Sequence, residues 1–143
     1  MERHSEAPQA IETSVALRWS DMDAYGHVNH VVYLTYLEEA RDAALTRILR
    51  SVPGEAGYVV ARVAIDFRRE LRHTDGPVIV ACQVTTIGRS SLHTREAIHS
   101  AAGDLAAEAE AVIVGFDRET RRARPWTDEE RRTFMAAGAK PRE

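Results

Sequence analysis

The sequence has little of several features that define protein classes. Its 143 residues include one cysteine, Cys82, so no internal disulfide can form and no Cys-x-x-Cys pair offers zinc ligands. Aromatic residues make up only 6% of the chain, and no apolar run approaches the length that spans a membrane. The polar N-terminus lacks the apolar stretch of a signal peptide. These absences predict a cytoplasmic protein without a membrane segment.

An excess of charge of one sign is also missing. The formal net charge is −3, which argues against the broad basic surface of a general nucleic-acid binder. Hydrophobic residues make up 44% of the chain, enough for the core of one domain of ordinary size. Cys82 lies in the apolar run 78–82 and is interpreted as a small buried hydrophobe rather than a nucleophile, because no local base accompanies it.

The first half of the chain predicts a strand, a loop and a long helix. Apolar residues alternate with polar ones at the start of the chain, which is typical of a half-buried strand: Ile11, Val15, Leu17 and Trp19. Residues 21–29 break the alternation and form a loop. Asn29 is a good N-cap for a helix from about His30 to Arg50, and its apolar residues cover so much of the circumference that a curved sheet should wrap it.

The second half predicts four strands and a short helix. Alternating and β-branched segments between Tyr58 and Asp117 indicate antiparallel strands, and the alanine-rich stretch 106–111 is assigned to the last of them because residues 112–116 continue it. Thr127 and Glu130 form a capping box for a helix that Gly138 ends. The fold class is therefore α+β. We expect a disordered tail at 1–10, a domain at 11–126, and a short helix and tail at 127–143.

The loop before the long helix carries groups suited to chemistry. Two aspartates, Gly26 and His27 lie within nine residues of one another, directly before the helix. The first N–H groups of a helix are unpaired and electropositive, so they can polarise a carbonyl and stabilise an oxyanion. A carboxylate beside them can attack that carbonyl or activate water.

This segment resembles a known family. Residues 18–30, RWSDMDAYGHVNH, followed by YLTYLEEAR at 33–41, resemble the 4-hydroxybenzoyl-CoA thioesterase family of hot-dog proteins. The turn at 88–91 and the segment 120–125 also look like the family, so the resemblance covers roughly residues 12–126. It implies a hot-dog fold, in which a curved antiparallel sheet wraps a long central helix. It also implies an acyl-CoA thioesterase without metal or cofactor, acting as a homodimer or homotetramer with sites at the subunit interface.

The resemblance assigns roles to individual residues. Asp23 matches the catalytic aspartate, the His30 N–H matches the donor that polarises the thioester carbonyl, and Glu38 corresponds to a glutamate that serves as the catalytic acid in some related branches. Gly26 lets the loop bend close to the acyl group. The candidate substrate-binding residues are Gly26, His27, Asn29, Tyr33, Arg89, Ser90, Ser91, Arg122 and Arg124.

Several residues keep two interpretations. Asp21 shapes the loop through hydrogen bonds, which we prefer to a catalytic role. His27 contacts substrate or packs under the helix, and Tyr33 lines an acyl pocket or packs in the core. Glu38 can form an i,i+3 ion pair with Arg41.

Two further clusters of residues could bind a ligand or could have no binding role. The basic group Arg118, Arg121, Arg122 and Arg124, with Arg89 nearby, binds coenzyme A phosphates or is a solvated hairpin. A metal site built from His27, His30 and the two aspartates is disfavoured, because His27 lies outside the predicted helix.

The predicted function is hydrolysis of an acyl-CoA thioester to a carboxylic acid and free coenzyme A. Asp23 serves as general base or nucleophile, and the sequence leaves that choice open. The alternatives are a hot-dog 3-hydroxyacyl dehydratase or enoyl hydratase, and a non-catalytic acyl-CoA binding module. The sequence does not identify the acyl group. It also leaves open whether the acyl group is carried by coenzyme A or by an acyl-carrier protein, and whether the protein is a dimer or a tetramer. Nucleic acid and membranes are not expected as partners.

Overall fold

A computed structural model describes residues 10–54 and 57–142; nearly all of the predicted N-terminal tail lies outside these ranges. In chain order, the main elements are β1 (Ile11–Val15), α1 (His30–Leu49), β2 (Tyr58–Phe67), β3 (Val78–Ile87), β4 (Ser91–His99) and β5 (Leu105–Asp117). They are followed by β6 (Arg122–Ala123), α2 (Asp128–Ala136) and β7 (Lys140–Pro141). Short 3₁₀ turns form at Trp19–Asp21 and His73–Asp75.

One sheet organises the chain. Its strands run in the order β1-β3-β4-β5-β2, and every pair in that series is antiparallel. The buried side of the sheet follows from alternation: along β3 the residues Val78, Val80, Cys82 and Val84 are buried, and each is followed by a less buried neighbour. Helix α1 lies across this face, in contact with β1, β3 and β4. The predicted hot-dog fold is confirmed.

The core has two parts along α1. Near the start of the helix, Tyr33, Tyr36 and Leu37 pack with residues of β1, β3 and β5. Near its end, Leu45 and Leu49 pack with Ile87, Leu92, Ile113, Trp126 and Phe134. Phe134 comes from α2, so the C-terminal helix contributes to the same core as the strands. The two parts of the core distinguish two ends of the molecule.

One expectation about an apolar residue was wrong. Trp19 does not continue the first strand: β1 ends at Val15, and Trp19 lies in a 3₁₀ turn with 77% of its surface exposed. The curved sheet against α1 is present as predicted, and the buried residues of α1 follow one face while Val31 and Leu34 are exposed. The sheet covers α1 on one side only, and the apolar residues on the other side face outward.

The helix boundaries agree with the sequence. Helix α1 begins at His30, and the Asn29 side chain accepts a hydrogen bond from the Val31 N–H at 3.2 Å. Helix α2 begins after Thr127, and both hydrogen bonds of the predicted capping box with Glu130 are present. Both N-caps satisfy N–H groups that the helix itself leaves unpaired. The alanine-rich stretch 106–111 is strand, as predicted.

Candidate functional site

The loop from Asp21 to Asn29 folds back on itself before α1. The Asp23 N–H donates to the His27 carbonyl at 2.8 Å, and the Gly26 N–H donates to the Asp23 carbonyl at 3.1 Å. Gly26 has a φ of +82°, a backbone conformation that glycine adopts without strain. A bridge between Met22 and Val28 closes the loop. Asp23 is thereby held next to the residues that lead into the helix.

The Asp23 carboxylate is held in place and still reaches solvent. Its Oδ1 accepts hydrogen bonds from the Tyr25 N–H at 2.9 Å and the His27 N–H at 3.4 Å. Its Oδ2 lies 3.0 Å from Nδ1 of His27, and 25% of the side chain is exposed. Because a carboxylate only accepts, the His27 contact requires a proton on Nδ1, and a neutral imidazole then carries its lone pair on Nε2. The two side chains form a carboxylate–imidazole pair open to a substrate.

The start of α1, three residues after His27, supplies an open hydrogen-bond donor. Asn29 accepts the Val31 N–H with its side chain and the Val32 N–H with its carbonyl. In the part of the chain that the structure describes, the His30 N–H has no hydrogen-bond partner. An open N–H at the positive end of a 20-residue helix can polarise a carbonyl.

Asp21 is the buried aspartate of the loop. It is 7% exposed, and its Oδ2 accepts the Tyr36 hydroxyl at 2.6 Å and the Arg18 N–H at 3.0 Å. Its carbonyl accepts the Asn29 N–H. Burial, followed by the hydrogen bond to Asp21, raises the pKa of Tyr36 above its usual value, so this hydroxyl stays a donor. The expectation that Asp21 shapes the loop agrees with these contacts, whereas no pattern in the sequence identified Tyr36 as its partner.

The expected pair of Glu38 with Arg41 is replaced by a different ion pair. Arg41 is buried and donates from two nitrogens to the buried Glu96 of β4, at 2.7 and 2.8 Å. The Thr94 hydroxyl also donates to Glu96, at 2.7 Å. A buried charge needs a charged partner and hydrogen bonds, and Glu96 supplies both where the exposed Glu38 cannot. The signal in the sequence was Glu96 itself, an acid on the inward-facing side of β4.

The remaining helix candidates lie further along α1. Tyr33 is buried, and its hydroxyl donates to the Arg69 carbonyl at 3.1 Å, so it packs in the core. Glu38 is exposed and lies about 12 Å along the helix axis from His30. It borders a surface cavity of about 520 Å³ with Arg41 and the beginning of β2. In the described part of the chain, Glu38 makes no hydrogen bond or ion pair with Asp23.

The predicted phosphate-binding residues are brought together, at the other end of the molecule. The Trp126 N–H donates to the Arg89 carbonyl, and the Trp126 indole N–H donates to the Ser91 carbonyl, both at 3.0 Å. Trp126 packs with Leu49 at the end of α1, whereas the Asp23 loop lies at its start. Arg89 and Arg122 are exposed, and Ser90 accepts the Gly115 N–H through its carbonyl. Within one chain, these residues are separated from Asp23 by the length of the helix.

Arg124 is the most restrained of these arginines. It donates from two nitrogens to Glu130 of α2, at 2.8 and 2.9 Å, and its guanidinium lies 5.8 Å from the ring centre of Trp126. This bidentate pair occupies the groups that would face a phosphate. The arrangement favours a structural role in which Arg124 holds α2 against the sheet.

Cys82 is buried, as expected. Burial, and then the neighbouring Glu96 carboxylate, raise the pKa of its thiol to about 12. A thiol in this environment stays protonated and is a poor nucleophile. The described residues contain no group of three or more histidine, cysteine or acidic side chains positioned to hold a metal ion. None of the helices in the described ranges is long and apolar enough to cross a membrane.

Comparisons with known proteins agree with this fold. The sequence profile of the Thioesterase-like superfamily matches residues 17–135. The chain is 27% identical over 122 residues to the protein YsmA of Bacillus subtilis, covering 85% of this chain and 82% of YsmA. It is 27% identical over 116 residues to the long-chain acyl-CoA thioesterase FadM of Escherichia coli, covering 79% and 88% of the two chains.

A solved structure is similar along almost its whole length. A thioesterase from Thermus thermophilus, in complex with coenzyme A and zinc, superimposes with a TM-score of 0.78 at 30% identity. The superposition covers 94% of this chain and 96% of the other.

Proposed function

Because the chain belongs to the Thioesterase-like superfamily, we propose that it is an acyl-CoA thioesterase with Asp23 as its reactive carboxylate. The observation that carries the proposal is the carboxylate–imidazole pair of Asp23 and His27 on a loop that leads directly into the open N–H of His30. Two relatives add support, since FadM is a long-chain acyl-CoA thioesterase and the Thermus thioesterase binds coenzyme A.

The chemistry follows from these groups. The thioester carbonyl oxygen accepts the His30 N–H, which stabilises the negative charge that develops on it. Asp23 takes a proton from water while the water oxygen attacks the carbonyl carbon. The carbon–sulfur bond then breaks, and the coenzyme A thiolate leaves and takes up a proton. In the nucleophilic form of the mechanism, Asp23 attacks the carbon itself, the carbon–sulfur bond breaks and the coenzyme A thiolate leaves, and water hydrolyses the resulting anhydride.

Several neighbouring residues have supporting roles in this proposal. Gly26 allows the loop to turn near the acyl group, His27 holds the Asp23 carboxylate, and Asn29 orients the helix start. Tyr33 supports the site from the core. Glu38 is the second candidate acid, and its distance from His30 along the helix makes Asp23 the stronger one.

We also propose that the working form is a homodimer in which two β2 strands pair. Strand β2 is the last strand of the sheet, and its outer edge has no partner strand in the described part of the chain. Val59, Val60 and Phe67 of this strand are exposed, which is unusual for apolar residues on an unprotected edge. Pairing two such edges would hide these side chains and join two sheets into one.

Antiparallel pairing of β2 would also unite the two separated groups of site residues. The beginning of β2 lies with Gly115 at the arginine end of the molecule, and Phe67 at its other end touches His30. Antiparallel pairing brings the beginning of one β2 to the end of the other. Asp23 of one copy would then share a substrate with Arg89, Ser90, Ser91 and Arg122 of the second, and these residues would meet the phosphates of coenzyme A.

A thiol-release assay tests the activity. The purified protein should release free coenzyme A from at least one member of a panel of aromatic, short-chain, medium-chain and long-chain acyl-CoA thioesters. An absorbance change from double-bond chemistry without thiol release would favour the dehydratase alternative. Thermal stabilisation by acyl-CoA without turnover would favour a binding module.

The dimer is tested by mixing two inactive variants. Copies with Asp23→Asn and copies with Arg122→Ala should regain activity when unfolded and refolded together, because a heterodimer carries one site with both groups intact. Each variant refolded alone is the control. No regain, or a monomer by light scattering, would contradict the shared site.

A further inference from the structure

We infer that Tyr36 and Asp21 form a positioning pair that fixes the Asp23 loop relative to helix α1. The inference rests on the proposed function and names a buried link on which the geometry of its reactive carboxylate depends. Neither residue touches a substrate in this mechanism. Tyr36 is completely buried, and Asp21 is nearly so.

Most hydrogen bonds of the loop are internal, and its second half is attached elsewhere: the Val28 N–H donates to the Leu71 carbonyl at 2.7 Å, and His27 forms a bridge with Arg72. The hydrogen bonds described for Asp23 join it to Tyr25, Gly26 and His27, all within the same loop. These bonds fix the shape of the loop and hold its second half to residues 71–72, and none of them joins the loop to the body of α1 beyond its first residues. A carboxylate that must lie beside the His30 N–H therefore needs a contact between the loop and the body of α1.

Asp21 supplies that contact through three separate attachments. Its carboxylate accepts the N–H of Arg18, where the chain leaves the first strand. Its carbonyl accepts the N–H of Asn29, the N-cap of α1. Its Oδ2 accepts the hydroxyl of Tyr36 at 2.6 Å, a short distance for an O–H donor to a carboxylate. One residue thus ties together the entrance to the loop, its exit and the helix.

The position of Tyr36 in the helix makes it an effective anchor. Tyr36 lies about 9 Å along the helix axis from His30. It is therefore beyond the first turn, which is the part of a helix that frays. Its ring packs in the core beside Leu37 and the residues of β3. Because Tyr36 is held in the core, its hydrogen bond to Asp21 keeps the loop at a fixed position relative to the helix. Asp23 is only two residues from Asp21, so a shift of Asp21 moves the reactive carboxylate as well.

The test removes one oxygen atom and leaves the packing intact. Tyr36→Phe deletes the hydroxyl and keeps the ring. We expect kcat to fall about ten- to hundredfold with KM changed less than about twofold, because a misplaced carboxylate affects the reaction more than binding. Amide hydrogen exchange of residues 22–29 should become about tenfold faster, which reports the released loop without any reference to activity.

Thr85→Val is the matched control. The Thr85 hydroxyl donates to the His93 carbonyl at 3.1 Å within the sheet, so this variant also loses one side-chain hydrogen bond, far from the loop. It should keep the wild-type kcat and the wild-type exchange in residues 22–29. A double variant, Tyr36→Phe with Asp21→Ala, should be no slower than Asp21→Ala alone, because both changes break the same link.

The outcomes separate the inference from the proposed function. Loss of kcat together with faster loop exchange supports the positioning pair. An active wild type whose Tyr36→Phe variant keeps kcat overturns the pair and leaves the thioesterase proposal standing, and so does a lowered kcat with unchanged loop exchange. If the wild-type protein releases no thiol, the proposed function is overturned. Unchanged amide hydrogen exchange of residues 22–29 in Tyr36→Phe would overturn the positioning pair, whatever the activity.

Discussion

Two carboxylates lie beside α1 in opposite surroundings. Glu96 is sealed in the core and neutralised by Arg41, with Thr94 as a further donor. Asp23 is a quarter exposed and bound by loop N–H groups and by His27, on the loop that leads into the open N–H of His30. Glu96 is closed off from solvent, and its charge is matched by the buried Arg41 guanidinium, so a substrate cannot reach it. The difference shows that access to solvent and the absence of a buried cationic partner, more than the presence of an acid near the helix, select the candidate catalyst.

The largest expected effect comes from removing the charge of Asp23. Asp23→Asn should lower kcat by about two to four orders of magnitude, because base or nucleophile is lost, while the melting temperature stays near that of the wild type. Thiol release and thermal unfolding measure the two quantities. Wild-type turnover in this variant would remove Asp23 from the reaction.

The sealed pair should behave in the opposite way. Arg41→Met leaves Glu96 charged and unpaired in the core, so we expect a loss of about 3–5 kcal/mol in the free energy of unfolding. Activity per folded molecule should change little. A second variant that also replaces Glu96 with Leu should recover much of the loss, because no buried charge is left behind. Denaturant unfolding gives the free energies; full stability in Arg41→Met alone would contradict this assignment.

His27 gives a smaller effect that sharpens the contrast. His27→Ala removes the imidazole that holds the Asp23 carboxylate at 3.0 Å, and we expect kcat to fall about tenfold because the orientation of the base is lost. His99→Ala, in β4, is the matched control and should keep the wild-type kcat. If His27→Ala lost as much activity as Asp23→Asn, His27 would be the base and Asp23 its partner.

Glu38 should have the smallest effect. Glu38→Gln keeps the shape of an exposed side chain that lies about 12 Å along the helix from His30, so we expect kcat to change by less than about threefold. Steady-state kinetics on the best thioester of the panel measures it. A loss of a hundredfold or more would transfer the role of catalytic acid from Asp23 to Glu38.

The fold was predictable where local patterns and burial agree. Asn29 and Thr127 begin helices as their side chains predict, the β-branched residues of β3 indicated that strand, and residues 112–116 correctly placed the alanine-rich stretch in β5. Trp19 misled because alternation continues in sequence after the strand has ended, and a 3₁₀ turn then directs its side chain outward. Period-two patterns cannot locate the residue at which hydrogen bonding between strands stops.

Only those site residues that lie close together in the sequence were predictable. The loop, the cap and Asp23 lie within nine residues and can be seen in the sequence. The partners of Asp21 and Arg41 come from residues distant in the chain, Tyr36 and Glu96, and only packing brings them together. Arg41 shows this well, since the local i,i+3 rule points to Glu38 while burial selects Glu96.

The position of a bound thioester decides whether Asp23 and the start of α1 act together. A crystal structure of the Asp23→Asn protein with an acyl-CoA ketone analogue, in which a methylene replaces the thioester sulfur, measures this directly. We predict the carbonyl oxygen about 3 Å from the His30 backbone nitrogen, with the side chain at position 23 beside the carbonyl carbon. A carbonyl bound away from the start of α1, or a side chain at position 23 directed away from it, would contradict this mechanism.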